Sequence, residues 1–121
     1  MKMIKKAKIW VPLVLFLILV FYFSSVPRLP SPGGIDISYS HFIVYFILSF
    51  LFLRMFLTGK YKKYGFLLAI AVSTLYGASI EIWQLFIPGR TFSYFDMLLN
   101  FFGSCFVYIF KIKKLRKLLF L

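Results

Sequence analysis

Four long apolar runs, separated by short polar breaks, make up most of this chain. They are approximately Ile9–Ser25, His41–Leu57, Tyr64–Ile87 and Tyr94–Phe110. Each is close to the ~20 residues that a helix needs to cross the hydrocarbon core of a bilayer. Since backbone polar groups in lipid must be paired within their own segment, each run is predicted to be a helix. The pattern predicts an all-α polytopic membrane protein with four transmembrane helices, forming a single domain over residues 1–121.

The breaks carry residues that favour turns. VPRLPSPGG follows the first run, TGKYKK the second and PGR the third. Pro88 and Gly89 are expected to end the third helix and turn the chain. The first run also has the basic start and apolar centre of a signal peptide. Bulky aromatics and prolines follow it rather than a small-residue cleavage site, so we expect an uncleaved anchor.

Composition supports lipid as the solvent. Of 121 residues, 62% are hydrophobic, whereas soluble domains are usually about 45–50% apolar. The formal net charge is +12, and a basic balance can indicate nucleic-acid binding. Here the basic residues form short clusters between apolar runs, which is typical of membrane orientation. We therefore expect no nucleic-acid partner.

The positions of the basic residues predict the topology. Clusters lie before the first run, around the second break and after the fourth run: Lys2, Lys5, Lys6 and Lys8; Arg54, Lys60, Lys62 and Lys63; Lys111, Lys113, Lys114, Arg116 and Lys117. The other two breaks contain only Arg28 and Arg90. An excess of Lys and Arg marks the cytoplasmic side. Both termini are thus predicted to be cytoplasmic, in a multi-pass protein of the cell membrane.

Polar and small residues recur at helical spacing on three of the four predicted helices. The three sets are His41, Tyr45 and Ser49; Thr74, Gly77, Glu81 and Gln84; and Asp96, Asn100 and Gly103. Residues three or four apart share one face of a helix. Such faces suit helix–helix contacts better than lipid. We expect a four-helix bundle with the three polar faces turned inward.

The scarce acidic residues are predicted to meet at one site. The chain has 3 Asp+Glu and 1 His, and His41, Glu81 and Asp96 lie near the outer ends of their runs. Glu81 lies six residues before Ile87, about 9 Å along the helix. An ionisable side chain at such a depth is costly and usually functional. His41 has an alternative interpretation as a helix-start residue at the level of the lipid headgroups.

The other polar residues also have structural interpretations, which stay open. Asp96 could serve only to cap the fourth helix together with Ser93. Gln84 and Asn100 could be interhelical hydrogen-bonding residues. Arg90 could reach lipid phosphates, although we expect it to pair with Glu81 or Asp96 when no ligand is bound.

A metal centre is not expected from the spacing of possible ligands. The chain has one histidine and one cysteine, Cys105, with no paired-ligand spacing. A single cysteine cannot form an internal disulfide, and Cys105 is interpreted as a small buried apolar residue. We expect no cofactor.

Several motifs resemble the VanZ-like family of small bacterial and archaeal membrane proteins. They are FSSVPRLP, HFIVYFILSF and YGASIEIWQLFIPGRTFSYFDMLLNFFG. The family pattern has a histidine and a tyrosine four apart, then E-x-x-Q, P-G-R and D-x-x-x-N-x-x-G. Its residues here are His41, Tyr45, Glu81, Gln84, Pro88, Gly89, Arg90, Asp96, Asn100 and Gly103. The family often has Asp-Lys before the histidine; here Asp36 is displaced by one position and the lysine is missing, so neither role transfers.

The resemblance implies a four-span protein with a shared polar site. The founding member of the family is associated with resistance to the glycopeptide antibiotic teicoplanin. Two functions are compatible with the residues. One is binding of a membrane lipid, wall precursor or amphiphilic antibiotic by Tyr45, Gln84, Arg90, Asp96 and Asn100. The alternative is a membrane enzyme that uses Glu81 and His41 as acid and base.

Overall fold

The computed structural model describes residues 2–26 and 40–120, and within them every regular element is helical. The α-helices are α1 Lys2–Ser25, α2 Ser40–Leu57, α3 Gly65–Gln84, α4 Tyr94–Cys105 and α5 Lys113–Arg116. Short 3-10 helices span Lys62–Tyr64, Phe106–Lys111 and Lys117–Phe120. The all-α prediction is confirmed. Arg28 and Asp36 lie outside the described residues.

The helices have the length and composition of membrane spans. Three segments qualify alone, at Lys2–Ser25, Ser40–Leu57 and Lys62–Gln84. Tyr94–Lys111 and Lys113–Phe120 together form a fourth candidate, bent by 105° at the break between them. The protein is therefore a membrane bundle with three spans, or four when the bent pair counts as one. The side on which the termini lie stays a prediction.

The third run ends sooner than its composition predicts. α3 stops at Gln84 instead of Ile87, and the next three amides, of residues 85 to 87, bond to carbonyls three residues back. Ile87 precedes Pro88, and proline disfavours helical backbone in the residue before it. Glu81 consequently lies about 4.5 Å from the end of its helix, and the predicted 9 Å was wrong.

The bounds of the first and fourth runs also differ from those predicted. α1 begins at Lys2 rather than Ile9, because lysine is a good helix former and continues the helix beyond the apolar run. α4 ends at Cys105. The remainder of the fourth run tightens into the 3-10 helix Phe106–Lys111, so the run is not one continuous α-helix.

Pro12 leaves one carbonyl of α1 without its helical hydrogen bond, and a side chain of α2 donates to that carbonyl. Proline has no backbone N–H, so the carbonyl of Lys8, four residues earlier, lacks its helical donor. Arg54 of α2 donates from Nη2 to this oxygen at 3.3 Å. The contact joins the basic start of α1 to the end of α2.

α2 is the central helix and contacts α1, α3 and α4. Its buried residues include Leu48 and Leu53, both fully buried, and they pack with Ala69 of α3 and Val107 beyond α4. α1 is peripheral, with 11% of its apolar window buried. Its exposed apolar residues suit contact with lipid.

The three predicted polar faces do turn inward. Tyr45 and Ser49 of α2 are buried, as are Gly77, Glu81 and Gln84 of α3, and Asn100 and Gly103 of α4. Ser49 donates to the carbonyl of Ser104 at 3.0 Å, and Ser104 donates to the carbonyl of Asn100 at 2.8 Å. These contacts tie α2 to α4 along the inner face.

Candidate functional site

Three side chains that are distant in sequence meet where α2, α3 and α4 come together at one end of the bundle. Single ligating atoms of His41, Glu81 and Asp96 all lie within 4.8 Å of one another. His41 is the second residue of α2, Asp96 the third of α4, and Glu81 is three residues from the end of α3. We call these three residues the polar cluster. The structure thus brings together the residues that the sequence analysis placed at one site.

His41 is held between two residues of α4. Its Nδ1 lies 3.1 Å from Oδ1 of Asn100, and its Nε2 lies 3.5 Å from Oδ2 of Asp96. Because an amide oxygen only accepts hydrogen bonds, the first contact favours the tautomer with its hydrogen on Nδ1. Nε2 is then the nitrogen directed at the carboxylate. The side chains of His41 and Asp96 are 19% and 13% exposed, so the cluster is accessible from their side.

Glu81 is the most deeply placed member of the polar cluster. It is fully buried, and its Oε2 accepts a hydrogen bond from the backbone N–H of Ser93 at 3.3 Å. Ser93 is the N-cap of α4, where the helix dipole favours a negative charge. Among the described residues, neither Oε1 of Glu81 nor Oδ1 of Asp96 has a hydrogen-bond partner. Two carboxylate oxygens therefore remain available within the buried site.

Asp96 has a structural position as well as a place in the cluster. Ser93 Oγ accepts a hydrogen bond from the backbone N–H of Asp96 at 3.2 Å, as a helix-capping serine does. The predicted N-cap at Ser93 is confirmed. The Asp96 carboxylate does not complete a capping box, because the backbone N–H of Ser93 donates to Glu81. The cap fixes the first turn of α4 and leaves the Asp96 carboxylate facing His41.

Gly77 allows the helices to close around the site. A Cβ at this position would lie 2.8 Å from Nδ2 of Asn100 and 2.9 Å from the ring of Tyr45. Both neighbouring side chains would have to move. Gly77 thus provides the space in which Asn100 is held against His41.

Gln84 and Arg90 bind the end of α1. Arg90 donates from Nη2 to the carbonyl of Phe23 at 2.9 Å and from Nε to that of Val26 at 3.1 Å. Gln84 donates from Nε2 to the carbonyl of Ser24 at 3.2 Å. The last carbonyls of a helix lack intrahelical donors, and basic side chains suit this end. The pairing of Arg90 with Glu81 or Asp96 stays a prediction.

The turn at Pro88 and Gly89 directs the side chain of Arg90 towards α1. The backbone N–H of Arg90 donates to the carbonyl of Ile87 at 3.2 Å, and Gly89 has a φ of 77°. Proline followed by a glycine with positive φ is the pattern of a type II turn. The predicted turn at Pro88 and Gly89 is confirmed.

A cavity of about 360 Å³ lies beside the polar cluster, between α1, α2 and the end of α3. Among the described residues, its polar lining comes from Ser24, Ser40, His41, Tyr45, Gln84 and Arg90. Its apolar lining comes from Phe16, Leu19, Val20, Phe23 and Val44. The sequence analysis did not identify the contribution of α1. An apolar residue that lines a cavity and one that faces lipid carry the same signal in sequence.

The fold brings together three possible metal ligands that no spacing along the chain reveals. His41, Glu81 and Asp96 come from three helices, so no local motif reveals them as a group. Cys105 is half-buried and packs against the hydrophobic core, in agreement with its interpretation as a small apolar residue.

Comparison with known proteins identifies the family. No curated protein and no solved structure matches the chain significantly. The family model described as VanZ/LLP1 matches residues 9–114, a range that includes the polar cluster, the residues that bind the end of α1 and the described lining of the cavity. This membrane bundle therefore belongs to the VanZ/LLP1 family.

Proposed function

We propose that this protein binds an amphiphile of the cell envelope, with the charged headgroup at His41 and Arg90 and the apolar chain along α1. The cavity carries this proposal, because its lining is polar at the ends of α1 and α2 and apolar further along α1. Its volume of about 360 Å³ lies in the range of small-ligand pockets.

The charges of the lining favour an anionic headgroup. Among the described residues, the lining includes Arg90 and His41 and neither of the carboxylates Glu81 and Asp96. The guanidinium of arginine donates hydrogen bonds to phosphate and carboxylate oxygens. With the basic ends of the helices in the cytoplasm, this site belongs to the outer leaflet of the cell membrane.

Matched probes test the proposal. Farnesyl phosphate and farnesol share an apolar chain and differ in charge, so the purified protein in a neutral detergent should bind the phosphate saturably and farnesol at least about tenfold more weakly. Leu19→Trp fills the cavity and should abolish binding. Leu75→Trp adds the same bulk on the exposed face of α3 and should leave binding unchanged. Equal binding of both probes, or equal effects of both substitutions, would contradict the proposal.

Competition identifies the source of the amphiphile. Membrane lipids, wall precursors and amphiphilic antibiotics all combine a polar head with an apolar chain. Short-chain phosphatidylglycerol, undecaprenyl phosphate and teicoplanin represent the three sources. The one that displaces farnesyl phosphate at the lowest concentration indicates which class the site selects.

The second candidate is an enzyme that acts on the same amphiphile. It is supported by His41, which belongs both to the cavity lining and to the polar cluster. Glu81 and His41 would then exchange protons with the substrate. Mass spectrometry of the probe after incubation distinguishes the two candidates. A product that is lost in Glu81→Gln supports the enzyme, and recovery of unchanged probe supports the binding protein.

A further inference from the structure

We propose that His41, Glu81 and Asp96 form a binding site for a divalent transition-metal ion. The site lies where α2, α3 and α4 meet, and each helix supplies one ligand. The inference concerns the polar cluster beside the proposed amphiphile site. It does not depend on amphiphile binding, because a metal can be measured on the protein alone.

The orientation of the His41 ring favours a metal ion. A metal-ligating histidine usually donates its other ring N–H to an oxygen, which fixes the tautomer and the ring orientation. Here Nδ1 lies 3.1 Å from Oδ1 of Asn100, and in the tautomer with its hydrogen on Nδ1 the lone pair is on Nε2. That lone pair points at Oδ2 of Asp96 at 3.5 Å. Two electron-rich atoms face each other in this way only when a cation lies with them, either a proton or a metal ion.

Two carboxylate oxygens without hydrogen-bond donors also favour a metal ion. Glu81 is fully buried, and within the described chain its Oε1 has no hydrogen-bond donor, as is also true of Oδ1 of Asp96. Burying an unpaired carboxylate oxygen is costly unless a cation compensates for the lost hydration. A metal ion would provide that compensation for both residues at once.

The distances fit a metal once the side chains rotate towards it. Zinc binds nitrogen and oxygen ligands at about 2.0–2.2 Å, and tetrahedral angles then place two ligand atoms about 3.4 Å apart. The three ligand atoms here lie within 4.8 Å of one another, so the widest pair has to close by no more than about 1.4 Å. One imidazole with two carboxylates suits Zn²⁺ or Mn²⁺ better than Mg²⁺ or Ca²⁺, which prefer oxygen ligands alone. Three protein ligands would leave a coordination position open.

Titration of the purified full-length protein tests the site directly. The protein would be kept in a neutral maltoside detergent, with any affinity tag removed and no amphiphile added. Calorimetry with Zn²⁺ and with Mn²⁺ should show one equivalent bound, and Mg²⁺ and Ca²⁺ should bind at least about tenfold more weakly. X-ray absorption of the zinc-loaded protein should show only nitrogen and oxygen neighbours. Lack of saturable binding would overturn the proposal and leave a proton as the cation of the site.

Substitutions assign the ligands. Glu81→Gln and Asp96→Asn each remove one carboxylate and should abolish stoichiometric binding, whereas Asn100→Ala should weaken it about 10- to 100-fold by releasing His41. Cys105→Ser is the control, because Cys105 is the other residue with high zinc affinity and lies about 13 Å along α4 from Asp96. Binding that survives in both carboxylate variants, or that is lost in Cys105→Ser, would contradict the assignment. Zinc should also raise the unfolding temperature of the unsubstituted protein and not that of the carboxylate variants.

Discussion

Gly103 of α4 lies directly against the backbone of Phe42 in α2. A Cβ on Gly103 would collide with the carbonyl oxygen of Phe42 and lie 3.0 Å from its carbonyl carbon. The two helices touch at backbone level here, as small residues in membrane helices permit. Phe42 follows His41 in the chain, and Gly103 lies two turns beyond Asp96. This contact therefore fixes how closely α2 and α4 approach beside the polar cluster.

Gly103→Ala should destabilise the bundle because its new methyl group meets rigid backbone. Overpacking of this kind costs about 1–3 kcal/mol, and we expect a lower unfolding temperature in detergent. Gly59→Ala is the matched control, since a Cβ there would lie 3.9 Å from its nearest neighbours. Equal unfolding temperatures for the two variants would show that α2 and α4 are not in backbone contact.

Arg90→Lys should loosen the end of α1. The guanidinium reaches the carbonyls of Phe23 and Val26 with two different nitrogens, and a single ammonium lacks this planar geometry. We expect a loss of about 1 kcal/mol and faster hydrogen exchange in the last turn of α1. Arg116→Lys, at an exposed position, should change neither quantity. Unchanged exchange in Arg90→Lys would indicate that Arg90 serves mainly to contact lipid phosphates.

Glu81→Gln should preserve the fold and abolish function. Glutamine keeps an oxygen to accept the N–H of Ser93 and removes the cost of a buried charge, so yield and thermal stability in detergent should be equal or slightly higher. The same variant should fail to complement a deletion strain. Ser79→Ala, on the exposed side of α3, is the control. Full complementation by Glu81→Gln would exclude a functional role, and failure to accumulate would indicate a buried ion pair with one partner removed.

Both termini should lie in the cytoplasm. Lys2, Lys5, Lys6, Lys8 and Arg54 line one surface cavity, and Lys62, Lys63, Lys111 and Arg116 line another. The fold thus places the basic clusters at the ends of the helices away from the polar cluster, and an excess of positive charge marks the cytoplasmic side.

Two measurements check this topology. A C-terminal fusion to a phosphatase that is active only outside the cell should give no signal. In a Cys105→Ser background, an impermeant maleimide should label Thr91→Cys in intact cells and should not label Thr58→Cys. Labelling in the reverse order would overturn the orientation.

The sequence by itself indicated that the helices lie in lipid. It also indicated the number of helical runs and the face of each helix that turns inward. These depend on local quantities, namely the length of an apolar run and the spacing of polar residues within it. Tyr45, Glu81 and Asn100 are buried for this reason, since a polar face in a membrane helix has few alternatives to the bundle interior. The cap at Ser93 and the turn at Pro88 and Gly89 are equally local and were predicted.

Only the tertiary structure decided which polar groups meet. That His41 lies between Asn100 and Asp96, and that Glu81 accepts a hydrogen bond from Ser93, depends on the rotation and approach of α2, α3 and α4. Residues from separate helices leave no joint pattern in the sequence, so neither these individual contacts nor the α1 side of the cavity was predicted, although His41, Glu81 and Asp96 were expected at one site. The early end of α3 at Gln84 shows a different limit: apolar composition marks where a helix can lie in lipid, and not where its hydrogen bonding changes, as it does in residues 85 to 87 before Pro88.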